Sequence, residues 1–373
     1  MSPRPELTFA CELDAARLAA LFADASVVED LLALGARVAL MVSDFSDERA
    51  EVVRRLNGAG VPVVGIPLLP LAQGYYFTAD NAAQAAGRYQ QWRAWTRGHR
   101  LAWAGVGLDV EPDARIYLQI MDNPWGLAPM LVPRLFDRAR PERSRAAYRE
   151  LVDRIRADGW TVENYQFPLI ADERRAGSTL LQRLALVDVQ TDREVWMIYS
   201  SFMRALGPGL IWSYGPEASA IGVGTTGGGP DIPGSPQMPS LTWEEFARDL
   251  RLARHWCDQI LIHSLEGCVW QGFLGRLRSF DWTDTATSAE RAWVARGLRT
   301  CLRATLRASA HPWVMLSAAI AFCCLIRLRV GSSRSSTLAP LEAGFAGVGV
   351  TVIVLARAAR SRAYPARAAA PFS

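Results

Sequence analysis

The stretch LAWAGVGLDVEP, residues 101–112, ends a short apolar run with two carboxylic acids. A run of this length, interrupted by Gly and closed by Pro, is typical of a buried β-strand. Its glycines indicate close packing inside a sheet or a barrel. Side chains two residues apart in a strand point to the same side, so Asp109 and Glu111 are predicted to face the same way.

Strands and helices alternate on both sides of this segment. Further strands are predicted at residues 7–11, 37–42, 61–66, 160–167, 194–201, 218–224 and 258–265. Helices are predicted at 14–34, in one or two pieces, and at 47–60, 80–97, 142–158 and 241–256. Eight alternating strands in roughly 280 residues predict an α/β protein with a (β/α)8 TIM barrel, which typically takes about 250 residues. A doubly wound open sheet is the alternative, but the turn after the first strand, CELD, lacks the Gly-rich phosphate loop of that fold.

Composition excludes several classes of protein. The chain has 373 residues, half of them hydrophobic, and a formal charge of +4, which excludes a mainly disordered protein. Residues 1–282 carry 29 Arg against 34 acidic residues, whereas residues 283–373 carry 12 Arg against 3. An acidic body with a basic tail is unlike a nucleic-acid-binding domain, so no nucleic-acid partner is expected. The six cysteines form no CxxC pair and the histidines have no ligand spacing, so neither a metal site nor a cofactor is predicted.

The C-terminal region differs from the body. We divide the chain into a barrel domain (1–282), a basic helical linker (283–312), a two-helix apolar membrane hairpin (313–357) and a basic disordered tail (358–373). Residues 313–326 and 343–356 are uncharged, although each run is shorter than the roughly 20 residues that cross a bilayer. Two buried core helices are the alternative.

Arginine bias predicts the topology of that hairpin. Seven arginines flank it and three lie in its connecting loop, which favours a membrane-associated protein with the barrel on the cytoplasmic side. The first residues, MSPRPELTFACELD, also lack an apolar stretch of signal-peptide length.

Candidate site residues follow the predicted strands, because barrel enzymes place their sites at the C-terminal ends of the strands. The rim is rich in acids and aromatic rings, which a carbohydrate substrate requires. Its predicted catalytic members are Asp109, Glu111 and Tyr199, and its predicted substrate-binding members are Glu12, Asp44, Tyr75, Tyr76, Tyr165, Gln166, Glu266 and Trp270.

Several of these residues have a structural alternative. Glu12 and Asp44 are also suited to capping the helices that follow them. Tyr75 and Tyr76 fit a packed loop equally well, and Trp270 fits the core face of a helix. His263, close to Glu266 in sequence, is interpreted as structural.

Asp109 and Glu111 carry the predicted chemistry. Two acids this close cannot both ionise freely, so the pKa of one rises. A carboxylic acid with a raised pKa is the proton donor that glycosidic cleavage needs. The alternative for this motif is a solvated loop after the strand.

Two short segments resemble a known family. GLDVEP (107–112) resembles the end of the DxxDxDxE motif of chitinase-like glycoside hydrolases of family 18, and MIYS (197–200) resembles the M-x-Y-D element of that family. The resemblance implies that Glu111 is the general acid, Asp109 its partner and Tyr199 a substrate contact. It also implies that the N-acetyl group of the substrate acts as nucleophile.

The chain departs from the family pattern at three positions. The first two acids of the motif fall on Ala104 and Gly107, and Ser200 replaces the aspartate after the tyrosine. Asp-Val-Glu also resembles lysozyme-like muramidase barrels of family 25.

Three functional hypotheses follow. The first is a membrane-tethered glycoside-hydrolase-like barrel that cleaves a glycosidic bond with a carboxyl pair. The second is a non-catalytic, membrane-anchored carbohydrate-binding or scaffold barrel, which the missing acids favour. The third is a barrel that acts on a metabolite other than a sugar.

Overall fold

The computed structural model describes residues 4–116, 119, 123–230, 239–284, 286 and 289–311. Eight parallel strands close into a barrel in chain order, with β8 paired to β1. The strands are β1 Glu6–Cys11, β2 Arg37–Val42, β3 Val63–Pro67, β4 Gly105–Asp109, β5 Val162–Gln166, β6 Arg193–Met197, β7 Ala220–Gly224 and β8 Gln259–His263. The predicted (β/α)8 barrel is confirmed, and the closure between β1 and β8 excludes the open sheet.

Helices surround the barrel. They are α1 Ala15–Ala23, α2 Ala25–Leu34, α3 Asp47–Ala59, α4 Ala82–His99, α5 Ala128–Phe136, α6 Arg140–Ala157, α7 Leu169–Ala176, α8 Leu180–Leu184, α9 Gly207–Tyr214, α10 Trp243–Trp256, α11 Leu265–Trp270, α12 Phe273–Leu277 and α13 Ala289–Ala310.

Two predicted boundaries shift for local reasons. The predicted helix 14–34 divides into two because Asp24 ends α1 and caps α2, where its carboxylate accepts from Ser26 N. The predicted strand 101–112 shortens to β4 because Leu101 N donates to Thr96 O and so completes the end of α4.

The interior of the barrel is layered by the alternation of side chains along each strand. At the N-terminal end Arg37 bridges Glu6 (2.8 Å) and Glu163 (2.5 Å), and Arg193 also binds Glu6 (2.7 Å). Above this ion network lies an apolar layer, whose buried members include Ala10, Ala39, Ile66, Tyr165, Val195 and Leu261. These two layers fill the lower part of the barrel and leave the C-terminal end for polar groups.

Helix α13 packs on the barrel unit. Its Arg299 binds Asp172 (2.9 Å) of α7 and Glu217 (3.0 Å), and Arg303 binds Asp172 as well (2.7 Å). Leu306 is buried against Ala176 and Leu180. The compact unit therefore runs to His311, beyond the barrel boundary that the sequence places at residue 282.

The predicted linker 283–312 thus contains a packed helix. Two of its arginines, Arg299 and Arg303, form the ion pairs that bind this helix to α7. Both belong to the seven flanking arginines on which the topology prediction is based. The predicted membrane hairpin, 313–357, and the predicted tail, 358–373, lie outside the described residues. Within the described ranges, none of the helices combines the length and apolar character needed to cross a bilayer.

Candidate active site at the C-terminal end of the barrel

Four carboxyl groups meet at the C-terminal end of the barrel. Glu12 follows β1 and is 6% exposed, Asp109 ends β4, Glu111 lies two residues further, and Glu266 is fully buried in the first turn of α11. Burial, with a smaller contribution from the charges of Glu266 and Glu111, raises the pKa of Glu12 to about 8, although a hydrogen bond from Tyr75 lowers it. Because the charges of Glu266 and Glu111 act on Glu12, these acids, which follow three different strands, lie in one site.

The segment after β3 fixes the two acids after β4. Phe77 N donates to Asp109 O (3.0 Å), and Glu111 N donates to Phe77 O (3.1 Å), so the chain stays extended past the end of the strand. Asp109 and Glu111 therefore project to the same side, as their spacing predicts. Their assignment as a catalytic pair stays a prediction.

Asp109 is a buried carboxyl with an unused oxygen. Burial raises its pKa well above the usual range, and the charges of Glu111 and Glu12 add to the rise. Within the described part of the chain, Asp109 Oδ1 has no hydrogen-bond partner. A buried polar atom without a partner costs free energy unless a ligand or a proton satisfies it.

Tyr199 and His263 form the opposite wall of the site. Their rings are 5.3 Å apart between centroids. Burial raises the pKa of Tyr199, and the charges of Glu111, Asp109 and Glu12 raise it further, so this phenol lies among three of the acids. Its role as a substrate contact stays a prediction.

His263 was assigned a structural role by sequence reasoning, but the structure places it in the site. It ends β8 and is buried, and burial lowers its pKa to about 4, so its imidazole is neutral at pH 7. Its Nδ1 has no hydrogen-bond partner among the described residues. The sequence feature that indicates this placement is its position two residues after Leu261, whose side chain lies in the barrel interior.

Glu266 joins the loops after β1, β7 and β8. Its Oε1 accepts from Gly229 N (3.0 Å) and Glu12 N (3.4 Å), and burial raises its pKa. Ser264 caps the helix that carries Glu266, because its Oγ accepts from Gly267 N (3.1 Å). The other carboxylate oxygen of Glu266, Oε2, has no partner in the described ranges.

Asp44 lies after β2 but is engaged elsewhere. Its carboxylate accepts from Arg49 (2.7 Å) and from Ser46 Oγ (2.6 Å). Burial opposes its ionisation, yet these bonds lower its pKa to about 2. The cap of α3 is Ser46, whose Oγ accepts from Arg49 N (3.3 Å), so Asp44 neither caps the helix nor offers a free carboxylate to a sugar.

Two further candidates point away from the site, and a third lies exposed on the surface. Tyr165 is a buried interior residue whose hydroxyl donates to Glu163 (3.2 Å), toward the opposite end of the barrel. Gln166, the next residue, faces outward and donates to Val189 O (3.1 Å). Trp270 is 58% exposed on α11, so it does not pack in the core.

The departures from the family motif have physical counterparts. A Cβ atom on Gly107 would lie 2.6 Å from Ile66 Cγ1 and 2.8 Å from Tyr165, so no acidic side chain fits at this position. Ser200 is buried and donates a hydrogen bond to the carboxylate of Asp249 in α10. The side chains of Ile66 and Tyr165 thus fill the space that an acid at position 107 of the motif would need.

In the described part of the chain, no three or more His, Cys, Asp or Glu side chains are arranged to hold a metal ion.

Comparison with known proteins identifies no family. No protein-family model matches the chain, and no curated protein matches it. A GH18 chitinase from Pseudoalteromonas aurantia is similar with a TM-score of 0.43 and 9% identity, over 74% of this chain and 100% of that chain. An AP endonuclease of family 2 from Brucella melitensis is similar with a TM-score of 0.39 and 13% identity, over 72% of this chain and 98% of that chain.

Likeness at this level carries no argument about family or activity. What the structure establishes is a closed parallel (β/α)8 barrel with four acids, three of them buried, and a buried neutral histidine at the C-terminal end of its strands.

Proposed function

We propose that the protein hydrolyses a glycosidic bond, with Asp109 and Glu111 as its acid/base pair. One observation carries the proposal: the pKa of buried Asp109 is raised by burial and by the charges of Glu111 and Glu12. The pair therefore retains a proton at a pH where an isolated carboxyl is ionised. A retained proton beside a second carboxyl is what glycosidic cleavage requires.

The two acids have different roles because they differ in access. Glu111 is partly exposed and would deliver the proton to the leaving oxygen as the bond from the anomeric carbon breaks. Asp109 lies behind it and holds the shared proton. Water then adds to the anomeric carbon and returns a proton to the carboxylate, so the pair ends in its starting state.

Tyr199 supplies the polar contact opposite the pair. Its raised pKa keeps the phenol protonated at neutral pH, so it can donate a hydrogen bond to the reacting sugar. Resemblance to family 18 suggests the N-acetyl group of the substrate as its partner. The partly exposed ring of Tyr75, which packs 5.0 Å from the buried ring of Tyr76 and nearly perpendicular to it, offers an aromatic surface beside Glu12.

A non-catalytic carbohydrate-binding or scaffold barrel is the second candidate. It is favoured by Gly107, where no acid fits, and by Glu266, whose carboxylate binds the backbone of two loops. For both candidates we propose attachment to a membrane through the apolar segments after residue 312, with the barrel on the cytoplasmic side.

The test uses the full-length protein with a panel of aryl glycosides and peptidoglycan. Glu111→Gln is expected to lower turnover by at least about 100-fold, since a positioned general acid contributes that much. Glu51→Gln is the matched control, because Glu51 is exposed on α3 and its carboxylate pairs with Arg54 on the surface of that helix.

Three outcomes are distinguishable. Turnover that Glu111→Gln abolishes and Glu51→Gln preserves supports the hydrolase. Equal sugar binding by both proteins without turnover supports the binding barrel. If no member of the panel is either cleaved or bound, both proposals are overturned and the hypothesis of a non-sugar substrate is left.

A further inference from the structure

A charged groove opens on the same end of the barrel as the acid pair. Its volume is about 420 Å³, and its charged lining consists of Asp80, Arg134, Asp137, Arg140 and Arg143. Asp80 follows β3, whereas the other four residues lie on α5, on α6 and between them, in the connection after β4. Connections after barrel strands lie at the C-terminal end, so this groove and the acid pair share one face.

Two arginines in the groove are already arranged around an oxyanion. Arg134 donates to Asp80 Oδ2 (2.6 Å) and Arg140 donates to Asp80 Oδ1 (2.7 Å), so both oxygens of one carboxylate are bound. Asp80 itself is half exposed, whereas both guanidinium groups are largely buried. Guanidinium groups match the planar oxygen pairs of carboxylates and phosphates.

The arginine side chains are held in place from behind. Arg134 also donates to Leu184 O (2.9 Å), and Arg140 donates to Gln182 O (3.3 Å). A ligand would therefore not have to order these two long side chains, which lowers the entropic cost of binding.

Positive charge in the groove exceeds negative charge. Arg143 is 63% exposed and pairs with Asp137 (2.6 Å), so three arginines face two aspartates. Burial lowers the pKa of Arg134, and the charge of Arg140 contributes to the lowering although Asp80 opposes it. The 18-residue helix α6 also begins at Arg140, and its N-terminal end favours anions.

The wall of the groove is continuous with the aromatic part of the site. Asn81, the residue after Asp80, donates from Nδ2 to Tyr76 O (2.9 Å) and accepts from Thr78 N (2.7 Å). The same segment continues the chain that fixes Asp109 and Glu111 through Phe77. One short segment, residues 77–81, thus joins the groove to the backbone that fixes the acid pair.

We propose that this groove binds the carboxylate or phosphate group of an acidic carbohydrate whose glycosidic bond lies at Asp109 and Glu111. The inference rests on the proposed function and names its substrate class. Both kinds of anion present the same oxygens to the arginines, and the probes below separate them.

Calorimetric titration of the full-length protein at low salt tests the groove directly. Glucuronate and glucose 1-phosphate are the anionic probes, and glucose is the neutral probe. At least one anion is expected to bind more tightly than glucose, and the tighter of the two identifies the preferred group. Arg143→Gln is expected to weaken that anion roughly five- to tenfold, a modest loss because Arg143 is exposed.

Two further variants sharpen the test. Arg54→Gln, which removes an exposed arginine paired on α3, is expected to leave the affinity unchanged. Asp80→Asn is expected to tighten anion binding, because it removes the carboxylate that competes for Arg134 and Arg140. Anions that bind no better than glucose, or an equal loss in Arg143→Gln and Arg54→Gln, would overturn the inference.

The proposal for the groove and the proposal for the reaction can be overturned independently of each other. Anion binding is expected to persist in Glu111→Gln, where hydrolysis is lost. If anions bind through Arg143 but no glycoside is cleaved, the reaction fails and the groove stands. If glycosides are cleaved and Arg143→Gln leaves KM equal for aryl glucuronides and aryl glucosides, the groove fails and the reaction stands.

Discussion

Tyr75 donates its phenolic hydrogen to Glu12 Oε1 over 2.8 Å and so joins the connection after β3 to the end of β1. Tyr75 has a left-handed backbone with φ of 67°, unusual for a large residue, which turns its ring toward the acids. The hydrogen bond favours the ionised carboxylate, whereas burial and the neighbouring acids favour the neutral form. Burial has the larger effect on the pKa, so Glu12 keeps its proton at neutral pH.

Removing this hydroxyl is expected to make Glu12 an even weaker acid. Tyr75→Phe deletes a bond to the ionised form, so the pKa of Glu12 should rise above about 8. Carboxyl carbon chemical shifts followed against pH would measure the change. Tyr76→Phe leaves the bond intact and is the control; an unchanged or lower pKa in Tyr75→Phe would contradict the role assigned to the bond.

Glu12 should also make the folded protein less stable as pH rises. Its pKa is about 8 in the folded state and about 4.3 in the unfolded state. Between these values the folded state binds more protons, so this contribution is complete below about pH 4.3 and is lost toward pH 8.

Glu12→Gln is therefore expected to reduce the fall in unfolding free energy between pH 5 and pH 8 by more than about 1 kcal/mol. Urea unfolding at the two pH values is the measurement, with exposed Glu51→Gln as the control. An identical fall in Glu12→Gln and the native protein would show that Glu12 is ionised in the folded state.

His263 is expected to act in the opposite direction. Burial lowers its pKa to about 4, whereas in the unfolded state it is about 6.5. Below pH 6.5 the unfolded state binds the extra proton, so stability is lost as pH falls toward 4. The imidazole carbon resonance, identified by its loss in His263→Gln, should not titrate between pH 8 and pH 5; a midpoint near 6.5 would show an accessible, protonated ring.

The acid pair is expected to act as a unit. Asp109→Asn and Glu111→Gln should each reduce kcat by at least about 100-fold, because either change removes the shared proton or its acceptor. The double variant should lose little more than the worse single variant, since residues that act together are not additive. Kinetics of all three variants on one aryl glycoside measure this, and fully additive losses would show two independent roles.

Helix α13 should be required for the stability of the barrel. Arg299 lies over the ring of Tyr214 and binds buried Asp172, which has a second partner in Arg303. Arg299→Met should lower the free energy of unfolding by about 2–4 kcal/mol, because Asp172 is left with one cation. Arg307→Gln, at an exposed position of the same helix, is the control in denaturant unfolding; equal stability of both variants would show that the ion pairs of Arg299 do not stabilise the barrel unit.

The local sequence pattern predicted much of the candidate site. The alternation of side chains along a strand carries information on three further residues. Asp109 and Glu111 were placed together by their spacing alone. Tyr165 and Gln166 were both predicted to bind substrate, yet adjacent strand residues point to opposite sides, so the two could not both face the interior. His263 shared the inward side with Leu261, and the same rule would have identified it.

The sequence by itself determined the strands, the helices and the barrel, because strand and helix periodicity are properties of the local backbone. Only the tertiary structure decided that Glu12 meets Tyr75, 63 residues away, and that Glu266 joins it across 254 residues. It also decided that α13 belongs to the barrel unit. These contacts form between segments that closure of the barrel brings together, and no local period records which distant side chains share a buried space.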